Sequence, residues 1–176
     1  MLKEKEKMFR YIDAVAPQMA AMSDDIFDHP ELGLNEYHAF ALLTDWLEQE
    51  GFAVERGVAG VETAFRAIYH HGNGGPNIGL LCEYDALPEI GHACGHQLQG
   101  PSILAAAAAL KNSEADGNYT VTVYGTPAEE SVSGKIMMLK NGCTFEELDV
   151  ALMTHGSGAT QVDVKILALS RFKVVF

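Results

Sequence analysis

The sequence predicts an α/β fold in three layers, a sheet with helices on both faces. Three features carry that prediction. Within the strand segment Asn77 to Tyr84 the run Ile78 to Cys82 is apolar at consecutive positions, as expected of a strand covered on both faces. From Met8 to Ile26 apolar residues recur at spacings of four and three, the stripe of a long helix. Three β segments, ending near Tyr84, Tyr124 and Met153, are each followed by carboxylate, thiol or imidazole side chains. Parallel strands bring such ends to one edge of a sheet, where open α/β folds place their sites.

The elements follow in order. Leu2 to Phe27 reads as a core-facing helix through Met8, Ile12, Val15, Met19, Met22 and Ile26, ended by His29-Pro30 because proline biases the preceding residue away from helical geometry. A second helix spans Glu36 to Glu50, with Asn35 as its cap, Phe40, Leu43 and Leu47 inward and Gly51 as its left-handed stop. Phe52 to Arg56 and Thr63 to Tyr69 read as short strands, and His70 to Gly75 as a turn. After the strand from Asn77, the alanine-rich run Ile103 to Leu110 is a helix lying close on the sheet, with Pro101 in its first turn. Then come a strand from Tyr119 to Tyr124, a helix from Gly134 to Lys140 and a strand from Asp149 to Met153.

Composition excludes several functions. With 48% hydrophobic residues among 176, the chain can bury a real core. Its net charge of −12 argues against a nucleic-acid partner, since Lys3, Lys5, Lys7 and Arg10 are interleaved with Glu4 and Glu6. No apolar run reaches the roughly 18 residues of a membrane span, and the N-terminal residues lack an apolar core followed by a small-residue cleavage site, so neither a span nor a signal peptide is indicated and a cytoplasmic location is expected. Cys82, Cys94 and Cys143 are odd in number and irregularly spaced, which reads as reduced thiols.

The chemistry concentrates in Leu80 to Gly100. A strand hands over to Glu83, Asp85 and Glu89, then to His92, Cys94 and His96, and Gly95 lets the backbone turn Cys94 and His96 toward one point. A thiolate and an imidazole so placed suit a divalent metal of the zinc type. Further on stand Glu129-Glu130 and His155. Adjacent carboxylates at a strand end cannot both point the same way, so one can ligate a metal while the other takes a proton from water. For an isolated Glu-Glu pair an exposed turn is the commoner case, but this one follows an apolar strand.

Five motifs, in register, carry a resemblance: Asp28 to Gly33 (DHPELG), Glu83 to Pro88 (EYDALP), His92 to His96 (HACGH), Gly125 to Glu130 (GTPAEE) and Thr154 to Gly156 (THG). In this order they resemble the N-terminal half of the aminoacylase/carboxypeptidase metallopeptidase family. The branch is that of aminobenzoyl-glutamate hydrolases, auxin-conjugate hydrolases and certain dipeptidases. The resemblance implies a zinc-exopeptidase-like fold, truncated here, and one or two Zn or Mn ions. It implies Cys94, His96, Glu130 and His155 as metal ligands and Glu129 as the carboxylate that activates water. Asp85 stands where the wider family has an aspartate that orients a ligand histidine; Glu83 replaces that histidine, and Gln97 departs from the family pattern.

The function so implied is metal-dependent hydrolysis of the amide bond in a small N-acyl amino acid or dipeptide, by an enzyme that is a homodimer at full length. A metal-binding module without turnover, and a thiol hydrolase with Cys94 as nucleophile, are the competing readings. Residues 1–165 are expected to form the first part of the catalytic domain. Residues 166–176 are expected to begin a lid and dimerisation domain, and the chain is expected not to hydrolyse amides alone.

Overall fold

The structure, a computed structural model, describes residues 3–113, 115–143 and 145–162. It contains α1 (Lys3–Asp28), α2 (Tyr37–Gln49), β1 (Ala53–Arg56), a 3-10 turn (Val58–Gly60), β2 (Phe65–His71), β3 (Asn77–Cys82), α3 (His96–Lys111), β4 (Tyr119–Gly125), α4 (Gly134–Lys140) and β5 (Val150–Leu152). The expected strand at 166–176 lies outside the described residues. Among the described residues no helix is long and apolar enough to cross a membrane.

The strands form one sheet in the order β1-β2-β4-β3-β5. Its centre is parallel, with β3 between β4 and β5, while β2 runs antiparallel to both β4 and β1. Alternation along the strands divides two cores. Phe65, Ala67, Leu80, Cys82, Val121 and Val123 face a large core closed by Ile26 of α1, Leu43, Trp46 and Leu47 of α2, and Leu104, Ala107 and Ala108 of α3. Tyr124 faces the opposite side, with Val58, Val61 and Met138 of α4. Helices therefore cover both faces.

Three local expectations are corrected. Asn35 does not cap α2: its side chain donates to the Gly33 carbonyl. The carboxylate of Glu31 serves instead, accepting the N–H of His38 and Ala39 at 2.9–3.0 Å from outside the helix. His70 and His71 belong to β2, paired with Thr120 and Tyr119, because the antiparallel register with β4 runs two residues past Tyr69. Finally α3 begins at His96 and not near Ile103, so Pro101 is its sixth residue and sits inside the helix. The alanine run is only the apolar part of that helix; its first two turns are built from residues of the site.

Close approach of β4 to β2 depends on Gly125. A Cβ added there would lie 2.1 Å from the Phe65 ring, which is fully buried and stacked 6.0 Å from Tyr84. Gly125→Ala is therefore expected to lower unfolding free energy by about 1–3 kcal/mol, read as a lower denaturant midpoint at unchanged slope; an unchanged midpoint would show that Phe65 can move aside.

Candidate metal centre

The parallel strands β3, β4 and β5 end at the same edge of the sheet, and each is followed by a segment carrying polar side chains of one cluster. After β3 the chain runs through Glu83 and Asp85 to Cys94 and His96. Gly95, with φ of 89°, is the turn that starts α3 and lets its two neighbours face one point. After β4 come Glu129 and Glu130, and after β5 His155. The thiol, imidazole and carboxylate atoms fall into two overlapping groups, Cys94 with His96 and His155, and His96 with Glu129 and Glu130, each within 4.8 Å. All five residues singled out in the sequence are thus brought together. Glu89 and His92 belong to neither group.

His96 is the shared member and is 1% exposed. Its Nδ1 lies 3.0 Å from the Asp85 carbonyl and 3.1 Å from Asp85 Oδ1. Both are acceptors, so Nδ1 carries the hydrogen and the lone pair of the neutral ring is at Nε2. That buried Nε2 makes no hydrogen bond among the described residues, although a Glu83 oxygen lies 3.3 Å away. His155 repeats the arrangement: its Nδ1 donates to the Gly156 carbonyl at 2.9 Å, leaving Nε2 3.5 Å from Cys94 Sγ. Two imidazoles each fixed at Nδ1, with Nε2 turned into the cluster, are the pattern of metal-binding histidines. Donors about 2.0–2.3 Å from a tetrahedral ion stand about 3.3–3.8 Å apart, and the Cys94–His155 separation falls in that range. The residues fit a zinc-type ion.

The electrostatics of the cluster are those of a cation site. Burial, then the neighbouring Glu130, Glu129 and Glu83 carboxylates, push the Cys94 thiol up to about 12. Burial and the charges of Glu83 and Glu130 raise Glu129 above the ordinary carboxylate range. Burial works against the charged form of Asp85, but hydrogen bonds from His96 and from the Glu130 N–H outweigh it and hold Asp85 below its usual value. Burial likewise opposes protonation of His96, yet the Asp85 hydrogen bond and the Glu83 charge raise it.

Several side chains that brace the cluster are not marked by any motif of the sequence. Gln99, one turn into α3, donates to Glu83 Oε2 at 3.1 Å and to the Thr154 carbonyl at 2.6 Å, tying the end of β3 to the residue before His155. Lys135 of α4 pairs with the other Glu83 oxygen. Buried Glu36 accepts the Ala128 N–H at 2.7 Å and the Thr63 hydroxyl at 2.9 Å. Ala128 has φ of 57°, a conformation unusual for alanine. Glu129 therefore sits between Ala128, pinned by Glu36, and Glu130, whose N–H donates to Asp85 Oδ2 at 2.9 Å. For Gln99 and Lys135 the sequence signal is a polar residue inside a helix, and for Glu36 it is only a carboxylate just before one. Gln97, the departure noted in the sequence, is half-buried, and its Oε1 has no hydrogen-bond partner among the described residues.

Comparison with known proteins gives the family. The profile of peptidase family M20/M25/M40 matches residues 79–168. The Xaa-Arg dipeptidase of Mus musculus is 41% identical over 165 residues, covering 87% of this chain and 38% of its own. A p-aminobenzoyl-glutamate hydrolase polypeptide of Escherichia coli (strain K12) is 36% identical over 196 residues, covering 96% and 40%. Among solved structures, a dinuclear metal-binding peptidase of family M20 from Bacillus subtilis superposes with a TM-score of 0.63 at 28% identity, over 74% of this chain and 40% of that one. The chain belongs to peptidase family M20/M25/M40. It spans about two fifths of the length of these curated relatives.

The role of Glu36 has a pH signature. Burial, against four opposing hydrogen bonds, raises its carboxyl above 4.5. Between 4.5 and that raised value the folded chain holds a proton that the unfolded chain has lost, so this group makes stability fall as pH rises through the window. Glu36→Gln is expected to remove that slope, seen in denaturant midpoints measured from pH ~4 upward; Glu36→Ala is expected to cost about 1–3 kcal/mol at every pH by orphaning the Ala128 N–H. An unaltered pH slope in Glu36→Gln would contradict the assignment.

Proposed function

We propose that this chain carries the metal-binding and proton-transferring part of a metal-dependent amidohydrolase acting on small N-acyl amino acids or dipeptides. One observation supports the reading above the rest: buried His96, its Nδ1 committed to Asp85, turns a bare Nε2 into a cluster of thiol, imidazole and carboxylates drawn from three strand ends. Cys94, His96, Glu130 and His155 would hold one or two divalent ions, Zn or Mn. A bound ion supplies Lewis acidity, polarising the scissile carbonyl and making water easier to deprotonate. The names of the relatives, a dipeptidase and an aminobenzoyl-glutamate hydrolase, support the substrate class.

Within that site Glu129 is the proton carrier. It is exposed at the tip of a turn whose neighbours on both sides are pinned. Although its side chain is reachable from solvent, partial desolvation and the Glu83 and Glu130 carboxylates raise its affinity for a proton, the direction that favours a general base. It takes a proton from the water that attacks the amide carbon and returns it to the amine as the carbon–nitrogen bond breaks. Asp85 keeps His96 in one tautomer and holds the Glu130 backbone, so a single buried carboxylate fixes both sides of the site.

The contact of Cys94 Sγ with His155 Nε2 also has the form of a nucleophile and its base. The carboxylates around it weigh against that role, since with burial they push the thiol up to about 12 and keep it protonated. Chelation separates the two readings: a metal enzyme stops and a thiol enzyme continues.

In the protein extended to the length of its relatives, Glu129→Gln is expected to lower kcat about 10²- to 10⁴-fold with bound metal unchanged. Measuring kcat and metal content together checks this, and a kcat within a few-fold of the parent would assign the base elsewhere. In the present chain Cys94→Ser is expected to lower zinc content by elemental analysis; equal content would remove Cys94 from the ligand set.

A further inference from the structure

A second set of metal donors lies at the corner where α1 ends and α2 begins. Asp25 is in the last turn of α1 and His29 four residues on, with helical geometry continuing through the His29 N–H to Asp25 carbonyl bond of 3.2 Å, so the two side chains share a face. His38 is the second residue of α2, and its backbone N–H is held by both oxygens of Glu31. Asp25 Oδ1 lies 2.9 Å from His29 Nδ1 and 3.1 Å from His38 Nε2, and the three donor atoms are all within 4.8 Å of one another. The side chains are 37% to 60% exposed, so an ion can reach them from solvent.

We propose that Asp25, His29 and His38 form a second binding site for a divalent transition metal of the zinc type, distinct from the centre at the strand ends. Two imidazoles and one carboxylate are a donor set that such ions favour, and an exposed face leaves the fourth position to water. The present separations of 2.9 and 3.1 Å widen by only a few tenths of an ångström to reach the roughly 3.3 Å between ligands of a tetrahedral ion, a change that side-chain rotation supplies. The donors come from the last turn of α1, the residue just after it and the first turn of α2, and the net charge of −12 raises the local concentration of cations. His29 Nδ1 lies 2.8 Å from the Asp25 carbonyl and donates to it; on uptake of the ion a neutral ring exchanges that hydrogen through solvent for one on Nε2, and a protonated ring releases one proton. A bound ion would tie the end of α1 to the start of α2, and so the segment from Glu31 to Glu36 that reaches Ala128.

The test is independent of any activity. Zinc is titrated calorimetrically into the chain carrying Cys94→Ser and His155→Ala, which removes two donors of the first centre, with far-UV circular dichroism to show that the fold is kept. Zinc is expected to bind, and one equivalent of it to be lost when His29→Ala and His38→Ala are added. In the otherwise unaltered chain the same two histidine substitutions, both on the surface, are expected to lower the zinc stoichiometry by one. Absence of zinc binding in the folded Cys94→Ser, His155→Ala chain, or an unchanged stoichiometry after loss of both histidines, overturns the proposal and leaves the three side chains as a hydrogen-bonded cluster only.

Discussion

Both oxygens of the buried Asp85 carboxylate are committed, one to His96 Nδ1 and the other to the Glu130 N–H. This one residue links the exit of β3, the start of α3 and the turn after β4. Without the carboxylate the His96 ring would keep only the Asp85 carbonyl as its Nδ1 acceptor, and the Glu129-Glu130 turn would lose an anchor. The rest of the architecture serves that junction. Parallel pairing of β3 with β4 sets the two exits side by side, with the Thr126 N–H and hydroxyl both donating to the Cys82 carbonyl at 2.8 and 3.0 Å.

Around this junction several buried polar groups are held by partners, while His96 Nε2 makes no hydrogen bond among the described residues. Glu83 meets Gln99 and Lys135, Glu36 meets Thr63 and Ala128, and Gln99 reaches Thr154. Burying carboxylates costs several kcal/mol each unless hydrogen bonds or cations offset it. A fold selected for stability alone would fill these positions with apolar side chains. Their presence at one edge of the sheet is the physical mark of a site, and it agrees with membership of a peptidase family.

Much of this was legible in the residues. The stripe of α1, the apolar run Ile78 to Cys82 of β3 and the bounds of α4 follow from period and composition, and the five motif residues meet in two overlapping groups at the strand ends. What was not legible has specific causes. Asn35 has the right residue type for a cap, but Glu31 reaches the same N–H groups across a loop, a tertiary contact that no local pattern encodes. His70 and His71 look like loop residues beside glycines, yet β4 extends the pairing over them. The first turns of α3 hold His96, Gln99, Gly100 and Pro101, whose polar and small side chains break the helical period because they face the site and Leu43 closely. The antiparallel β2 beside a parallel centre is set by pairing partners distant in sequence.

X-ray absorption at the zinc edge tests the metal assignment at the strand ends most directly. The chain with His29→Ala and His38→Ala, loaded with one equivalent of zinc, isolates that centre. One sulfur scatterer is expected at about 2.3 Å, from Cys94, beside nitrogen and oxygen at about 2.0–2.2 Å. A first shell of nitrogen and oxygen alone, unchanged by Cys94→Ser, would contradict it.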